Sequence, residues 1–399
     1  MLAFMLATLI VFAFAGTVLL HPAFHADLTR FRQHEGGEDG RTSAGPAGHD
    51  QVRRLVSEIS IVIPARNEEQ TLPTLLDSLE VQSVQPGEIV VVDDQSEDGT
   101  AVVADRSWTQ VISAGERPEG WLGKPWASFV GAQAARGRLL LFLDADARLH
   151  PDALETLARA FLAVSSDWPE TADTISVQPY HRTVRYRERL ALLFNIHVFV
   201  GAARRTKGLL MTMEGSCCFG PCILCGRNEY FGFDGHAGVR TSILDDIDLG
   251  TLFHKSGVNT HAFCGKGVVD FRMYPGGFRA LLDGFTKNIR LGARRSGGWF
   301  KILAILWTSG LMAAPLYTVT AAVTGHIPAL VIAVVFYTFF AIQFAAAGRK
   351  VGNFGLLPAL FYPIHLLVFL FVLARARVLA MTGRNVQWKG RSLQPDSER

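Results

Sequence analysis

The sequence predicts an α/β fold with a mostly parallel central sheet, flanked by transmembrane helices at both ends of the chain. Three observations carry this reading. From Ile59 onward, short apolar runs (ISIVIP, EIVVVDD, LLLFLDAD) alternate with stretches of helical periodicity such as Thr71 to Gln82. Strands that are apolar without interruption need cover on both faces, and ligands then bind at their carboxyl ends. The polar residues fall at those ends: Pro64, Ala65, Arg66, Asn67 and Glu68 close the first run, Asp93 and Asp94 the second, and Asp144, Ala145 and Asp146 a later one. The third observation is the apolar character of both chain ends.

Residues Leu2 to Leu20 carry no charge and are long enough for one bilayer crossing. A signal peptide is the competing reading, but no basic residue precedes the run. Arg30, Arg32, Arg53 and Arg54 follow it, which predicts an anchor helix with the body in the cytoplasm. Residues His34 to Gln51, rich in Gly, Ser, Pro and charge, read as a flexible linker. Three more apolar stretches, Ile302 to Val323, Ala329 to Ala347 and Leu356 to Ala374, are each about long enough to cross hydrocarbon. Arg349 and Lys350 belong inside by charge, yet so do Arg375, Arg377, Arg384, Lys389 and Arg391, and a third full crossing places these five outside. Either Pro358 and Pro363 break the last stretch into a re-entrant or interfacial piece, or the Pro315 region lies in the interface. The expected organisation is an anchor (1–24), a linker (25–57), a cytosolic catalytic domain (58–298), transmembrane or interfacial helices (299–380) and a basic tail (381–399).

Composition excludes some classes. With 399 residues, 49% of them hydrophobic, and a mean hydropathy of +0.21, the chain is too apolar to be fully soluble. The net charge of +3 is small, and basic residues do not interleave with aromatics in a long stripe, so nucleic acid is not expected as a partner. No obligate protein partner is implied. Of the five cysteines, four lie between Cys217 and Cys225, unlike the framework of a small secreted domain, which predicts a reduced cytosolic compartment.

Asp144 and Asp146 stand at alternate positions closing a strand, where both can reach one hard divalent cation, and that cation can neutralise a diphosphate. The plainer reading is a turn or a helix cap, and DDQSEDGT can likewise be a polar turn with Ser96 or Asp98 as the cap. Cys222 and Cys225 supply half a zinc site, but the only later cysteine is Cys264, so apolar packing is expected instead. His197, His236 and His254 lack metal-ligand spacing and read as structural or surface residues. Arg182, Arg185, Arg187 and Arg189 read as a solvated or headgroup-facing side of a membrane-surface helix.

The ordered blocks SIVIPARNEEQTL, VVVDDQSEDGT, GWLGKPWA, LFLDADARLHPDAL and LDDIDLG resemble a membrane-anchored family 2 glycosyltransferase of GT-A fold, over roughly Ile59 to Arg295. GWLGKPWA and FRMYPGGFRALLDGFTKN are similar to the branch of 4,4'-diaponeurosporenoate glycosyltransferases, and WKGR at Trp388 to Arg391 to the tails of lipid-glucosylating relatives. The resemblance implies that Pro64 to Glu68 and Asp93 or Asp94 hold the uracil and ribose of a UDP-sugar, and that Lys124 approaches the nucleotide as a compact positive charge. It implies Mg²⁺ or Mn²⁺ on Asp144 and Asp146, with Asp146 the direct ligand. Asp246 stands at the base position of the family's Glu-Asp pair, preceded by Asp245 where glutamate is commoner. The reaction implied is one inverting displacement in which Asp246 takes the acceptor proton. The QxxRW string of polymer-forming relatives is missing; Lys287, Asn288 and Arg290 stand in its place, which predicts transfer of one hexose, with UDP-glucose the expected donor.

The acceptor expected is a lipid in the bilayer, with Met211, Met213, Phe219 and Tyr274 as candidate lining. A carotenoid acid or alcohol, a hopanoid, a diacylglycerol and a sphingoid lipid all fit. A non-catalytic membrane protein that binds a nucleotide-sugar is the alternative of a different class; a soluble nucleotidyltransferase is disfavoured by the apolar C-terminal stretches.

Overall fold

The computed structural model describes residues 2–32, 46–167, 173–201, 204–205, 211–212, 214–215, 218–292, 298–382, 386–388 and 391–393. The chain forms two compact units. One comprises Asp27–Tyr180 with Glu214–Phe271, the other Met1–Ala26 with His181–Met213 and Arg272–Arg399. These units divide the chain differently from the linear ranges read from sequence, because the stretches on either side of Glu214–Phe271 cluster with the terminal helices.

The first unit is built on a sheet of eight described strands: β1 (Ile59–Ala65), β2 (Glu88–Asp93), β3 (Gln110–Ser113), β4 (Leu139–Leu143), β5 (Asp173–Gln178), β6 (Glu214–Gly215), β7 (Cys222–Gly226) and β8 (Asn259–Cys264). Their order is β6-β8-β5-β7-β4-β1-β2-β3. Strands β4, β1, β2 and β3 are parallel, as are β5 and β8, while β7 runs antiparallel between β4 and β5. Apolar runs form these strands because both faces are covered. Ile59, Ile61 and Ile63 enter one core with Leu139, Leu141 and Leu143, whereas Val62, Leu140 and Phe142 enter the core on the opposite face. Leu72, Leu75, Leu76 and Leu79 of the helix Leu72–Glu80 cover the first face, with Leu154 and Leu157 of Ala153–Asp167. The helices Gly123–Ala134 and Asp245–Lys255 contribute Ala132, Leu249 and Phe253 to the second.

Two parts of the expected linker are described and both are ordered: a short helix, Leu28–Phe31, whose Leu28 enters the first core, and a longer one, Pro46–Ser57. Val52, Leu55 and Val56 recur at helical spacing and are buried in the first core, and such burial stabilises by about 1.5–3 kcal/mol per side chain. Residues 33–45 of that linker lie outside the described residues.

In the second unit, and among the described residues, four helices are long and apolar enough to cross a membrane: Leu2–His25, Gly298–Val323, Ile327–Val351 and Tyr362–Met381. Pro315 sits inside a continuous helix, whereas Pro358 and Pro363 open new ones. The last apolar stretch is therefore divided at Phe361 into Leu357–Leu360 and Tyr362–Met381. One polar side chain ties three of the long helices. Gln343 accepts from Trp307 Nε1 (3.1 Å) and donates to the Ala13 carbonyl and Thr17 Oγ1 (3.1 Å each), so both ends of this buried amide are paired. Arg375 pairs with Asp283 of the amphipathic helix Phe278–Gly292 at 2.5 Å.

Gly131 tests the packing beneath the first helix of the site. A Cβ there would stand 2.4 Å from Val62 Cγ1 and 2.8 Å from Val92 Cγ2, so Gly131→Val should destabilise by about 1–3 kcal/mol. Thermal unfolding of the detergent-solubilised protein checks this, and an unchanged melting temperature would refute the close approach.

Candidate active site

The loops after β1 and β2 are stapled to each other. Ala65 is the buried last residue of β1, in register with Asp93, and its carbonyl accepts from Asp94 N at 2.8 Å. Arg66 Nη1 donates to the Asp94 carbonyl (2.9 Å), and Arg66 Nη2 approaches Glu97 at 3.4 Å. Asn67, with φ of 54°, donates its N–H to Ser96 Oγ (3.1 Å) and accepts from Glu97 N (2.9 Å). Asparagine is among the few non-glycine residues that adopt this left-handed conformation readily. Glu68 N donates to Thr100 Oγ1 (2.7 Å), and Asp93 accepts from Ser96 N (3.3 Å). All seven residues expected to seat a nucleotide, Pro64 to Glu68 with Asp93 and Asp94, thus lie at the carboxyl ends of two adjacent parallel strands. The two loops form one preorganised edge.

Asp144 and Asp146 do not ride on the strand, contrary to the geometry expected from their spacing. Strand β4 stops at Leu143, paired with Cys222, and Asp144 N turns aside to the Pro221 carbonyl (3.2 Å). The Asp144 carbonyl then accepts from Ala147 N (3.0 Å), closing a turn in which Ala145 is buried and Asp146 exposed. The Asp144 carboxylate meets Lys124 Nζ at 2.6 Å. Lys124 stands in the first turn of the helix Gly123–Ala134.

Asp246 arrives from the other side of the cleft, at the N-terminal turn of Asp245–Lys255, where helix geometry favours negative charge. Its Oδ2 accepts from Gly220 N at 2.9 Å. A Cβ on Gly220 would lie 3.1 Å from that oxygen and 3.2 Å from Lys124 Nζ, so the missing side chain allows Asp246 and Lys124 to close on one backbone amide. Pro64, Lys124, Asp144, Gly220, Asp245 and Asp246 line one cleft.

Burial disfavours the Lys124 charge, but Asp144, Asp245 and Asp246 outweigh it and raise the ammonium above its ordinary range. Asp245 is pushed up to about 6, first by burial; Lys124 opposes this, and the charges of Asp246 and Asp144 add to it. Two further residues line this cleft: His236, which the sequence reads only as structural or surface, and Gly220, which it does not single out. His236 is buried, held by Tyr230 Oη at 2.9 Å from its Nδ1, with its Nε2 3.9 Å from Asp245. Burial and then Lys124 push it down to about 3, so it is neutral beside Asp245. No spacing in the sequence signals its place.

The two carboxylates of the 144–146 turn suit a hard divalent cation that completes its shell with phosphate oxygens and water. Among the described residues no three His, Cys, Asp or Glu side chains converge on a metal-sized site. Cys222 and Cys225 lie on opposite faces of β7, one in each core, and burial raises both thiols. Cys217 and Met213 lie outside the described residues. Of the other residues expected to line an acceptor site, Phe219 is buried in the sheet unit, and Tyr274 packs edge-on against Phe285 in the helical unit.

The sheet carries two stapled loops and a lysine–carboxylate cleft at the carboxyl ends of its parallel strands, and by family the protein is a glycosyltransferase that uses a nucleotide-sugar. Residues 60–220 match glycosyl transferase family 2, and the chain belongs to that family. It is 32% identical to a 4,4'-diaponeurosporenoate glycosyltransferase of Staphylococcus haemolyticus (strain JCSC1435), over 84% of this chain and 88% of the relative. A protein of the same name from Staphylococcus aureus (strain USA300) is 29% identical over 84% and 87%. Among solved structures, a mannosyltransferase from Pyrobaculum calidifontis in complex with GDP-Man and Mn²⁺ superposes with a TM-score of 0.45 at 17% identity, covering 88% of this chain and 98% of that one.

Two outcomes follow from this geometry. Gly220→Ala should lower sugar transfer by about tenfold or more, since a displacement on the order of an ångström in the reacting groups carries such a cost, while leaving the melting temperature within a few degrees; full activity would show that the close approach is dispensable. Asp245 holds its proton to a higher pH in the folded chain than in the unfolded one. Ligand-free stability should therefore fall as pH rises from the ordinary aspartate range to about 6. Melting curves of wild type and Asp245→Asn over that window check this, and identical pH slopes would contradict it.

Proposed function

We propose that this enzyme transfers one hexose from a UDP-sugar, UDP-glucose first among them, to a lipid acceptor in the membrane, with inversion at the anomeric carbon. The observation that carries the reading is the convergence of Asp246, Lys124 and Asp144 around Gly220 at the carboxyl end of β4. The edge formed by Pro64 to Glu68 with Asp93 and Asp94 seats the nucleoside. Asp246 accepts the proton of an acceptor hydroxyl as that oxygen bonds to the anomeric carbon; the bond from this carbon to the diphosphate oxygen breaks, and UDP leaves from the opposite face. Lys124 places positive charge beside the leaving phosphates. Asp144 and Asp146 would hold Mg²⁺ or Mn²⁺, which when bound neutralises the diphosphate.

The chain joins this catalytic unit to four helices suited to a bilayer, which supports a multi-pass protein of the cell membrane drawing its acceptor from the lipid phase. The basic residues after the first helix and at the end of Ile327–Val351 support a cytoplasmic catalytic face. The relatives' name makes a diaponeurosporenoate-type carotenoid acid the first acceptor to test.

Lipid extracts of cells with and without the protein, compared by mass spectrometry, should differ by a lipid one hexose heavier that needs Asp246; an unchanged lipid profile with active, folded protein present would overturn the lipid assignment. The acceptor's chemistry can then be read from Asp246→Asn. With a hydroxyl acceptor the variant should lose about 10²–10⁴-fold in rate. A carboxylic acid is already ionised near neutral pH and needs no base, so the loss should be smaller. Equal losses with both acceptors would contradict the base assignment. Chelation with EDTA should abolish turnover, and Mg²⁺ or Mn²⁺ should restore it.

A further inference from the structure

One segment of the helical unit carries charge that the catalytic reading leaves unused. Residues 181–191 run as a strap, HRTVRYRERLA, ending in the short helix Tyr186–Ala191. Arg182, Arg185 and Arg187 are exposed on it, and among the described residues none of the three forms an ion pair. Val184 and Tyr186, between these arginines, are 69% and 59% exposed. Arg189 lies over the Tyr186 ring, 5.5 Å from its centroid.

The strap is rigidly held by its backbone and its one acid. Asn353 N donates to the His181 carbonyl (3.1 Å), Thr183 N donates to Asn353 Oδ1 (2.5 Å), and Asn353 Nδ2 returns a bond to the Thr183 carbonyl (3.3 Å). Glu188 is turned inward, 2% exposed, where it accepts from Val184 N (2.7 Å) and pairs with Arg272 at 2.6 Å. The inward turn removes the only negative charge of the strap from its outer side. The anchoring residue matters equally. Asn353 stands two residues beyond the helix Ile327–Val351, after its C-cap Gly352, and the last turn of that helix carries Arg349 and Lys350. The strap is thus fastened at the basic end of a candidate membrane span.

We propose that this strap is a binding site for anionic phospholipid headgroups at the membrane interface: Arg182, Arg185 and Arg187 contact the phosphates, and Val184 and Tyr186 enter the acyl boundary. Charge complementarity selects the occupant, and an aromatic and an aliphatic side chain exposed between arginines suit an interface better than bulk water. The proposal rests on the reading of the four helices as membrane spans and goes beyond sugar transfer.

The test is lipid retention by the full chain purified from mixed micelles holding equal phosphatidylglycerol and phosphatidylcholine, with bound lipid quantified by mass spectrometry. Wild type should retain phosphatidylglycerol in severalfold excess. Each arginine near an anionic surface contributes about fivefold to partitioning, so the triple variant Arg182→Gln, Arg185→Gln, Arg187→Gln should lose about tenfold or more of that preference. The triple change to lysine keeps the charge and should keep the preference. Arg53→Gln with Arg54→Gln, which removes charge elsewhere, should also leave it intact. Equal retention by wild type and the glutamine variant would overturn the proposal, as would an equal loss in the Arg53 and Arg54 control. Displacement of phosphatidylglycerol by millimolar inorganic phosphate would show a site for free anions and not for a lipid surface. The readout is bound lipid, so a protein inactive in sugar transfer tests the strap just as well.

Discussion

The arrangement of the cleft depends on one ammonium group among carboxylates. Asp144, Asp245 and Asp246 face one small space, and like charges this close cannot all ionise without compensation. Lys124 supplies that compensation from within the chain, closest to Asp144. In the proposed reaction an incoming diphosphate competes for the same ammonium. On that proposal donor binding would be an exchange of partners, Lys124 turning from carboxylate to phosphate and Asp144 becoming available to hold a cation. The resting pair holds both side chains in place before the donor arrives, which lowers the ordering cost of binding.

That cluster can form only because the sheet brings distant segments to one edge. Lys124 comes from the helix that crosses behind β1, Asp144 from the end of β4, Gly220 from the turn into β7 and Asp246 from the helix that precedes β8. The antiparallel insertion of β7 next to β4 is the decisive element. It ends the β4 ladder at Leu143, and Pro221 takes the next amide, so Asp144 leaves the strand direction and meets the lysine. The turn into β7 also delivers Gly220, whose amide orients Asp246.

Much of this was legible in the sequence, for a physical reason that also marks the limit. Strands covered on both faces must be apolar, so ISIVIP, VVV and LLLFL announced themselves, and polar residues directly after such runs could only stand at the sheet's mouth. The pairing partner of β4 was not legible. Cys222 lies far along the chain from Leu143, and no local pattern states that it ends the ladder. The strand was therefore carried through Asp146, and the two carboxylates were placed on one face of a strand instead of in a turn. The helix Pro46–Ser57 was hidden differently: only Val52, Leu55 and Val56 are apolar in a polar stretch, too few for periodicity to outweigh composition. His236 had no local signal, since its role comes from Tyr230 and Asp245.

The sharing of Lys124 also couples two parts of the proposed chemistry that could have been independent. A leaving diphosphate needs positive charge, whereas a base needs a carboxylate that is ionised yet ready to take a proton. Here one ammonium serves both, because the backbone amide that orients Asp246 belongs to a glycine in contact range of Lys124. In the proposed reaction, movement of Lys124 toward phosphate would take positive charge out of the space around Gly220 while the Gly220 amide keeps its bond to Asp246. An acceptor that is already an anion would lose, by the same movement, positive charge that attracts it, whereas a neutral hydroxyl acceptor would not, so the two acceptor classes place different demands on the position of a single side chain.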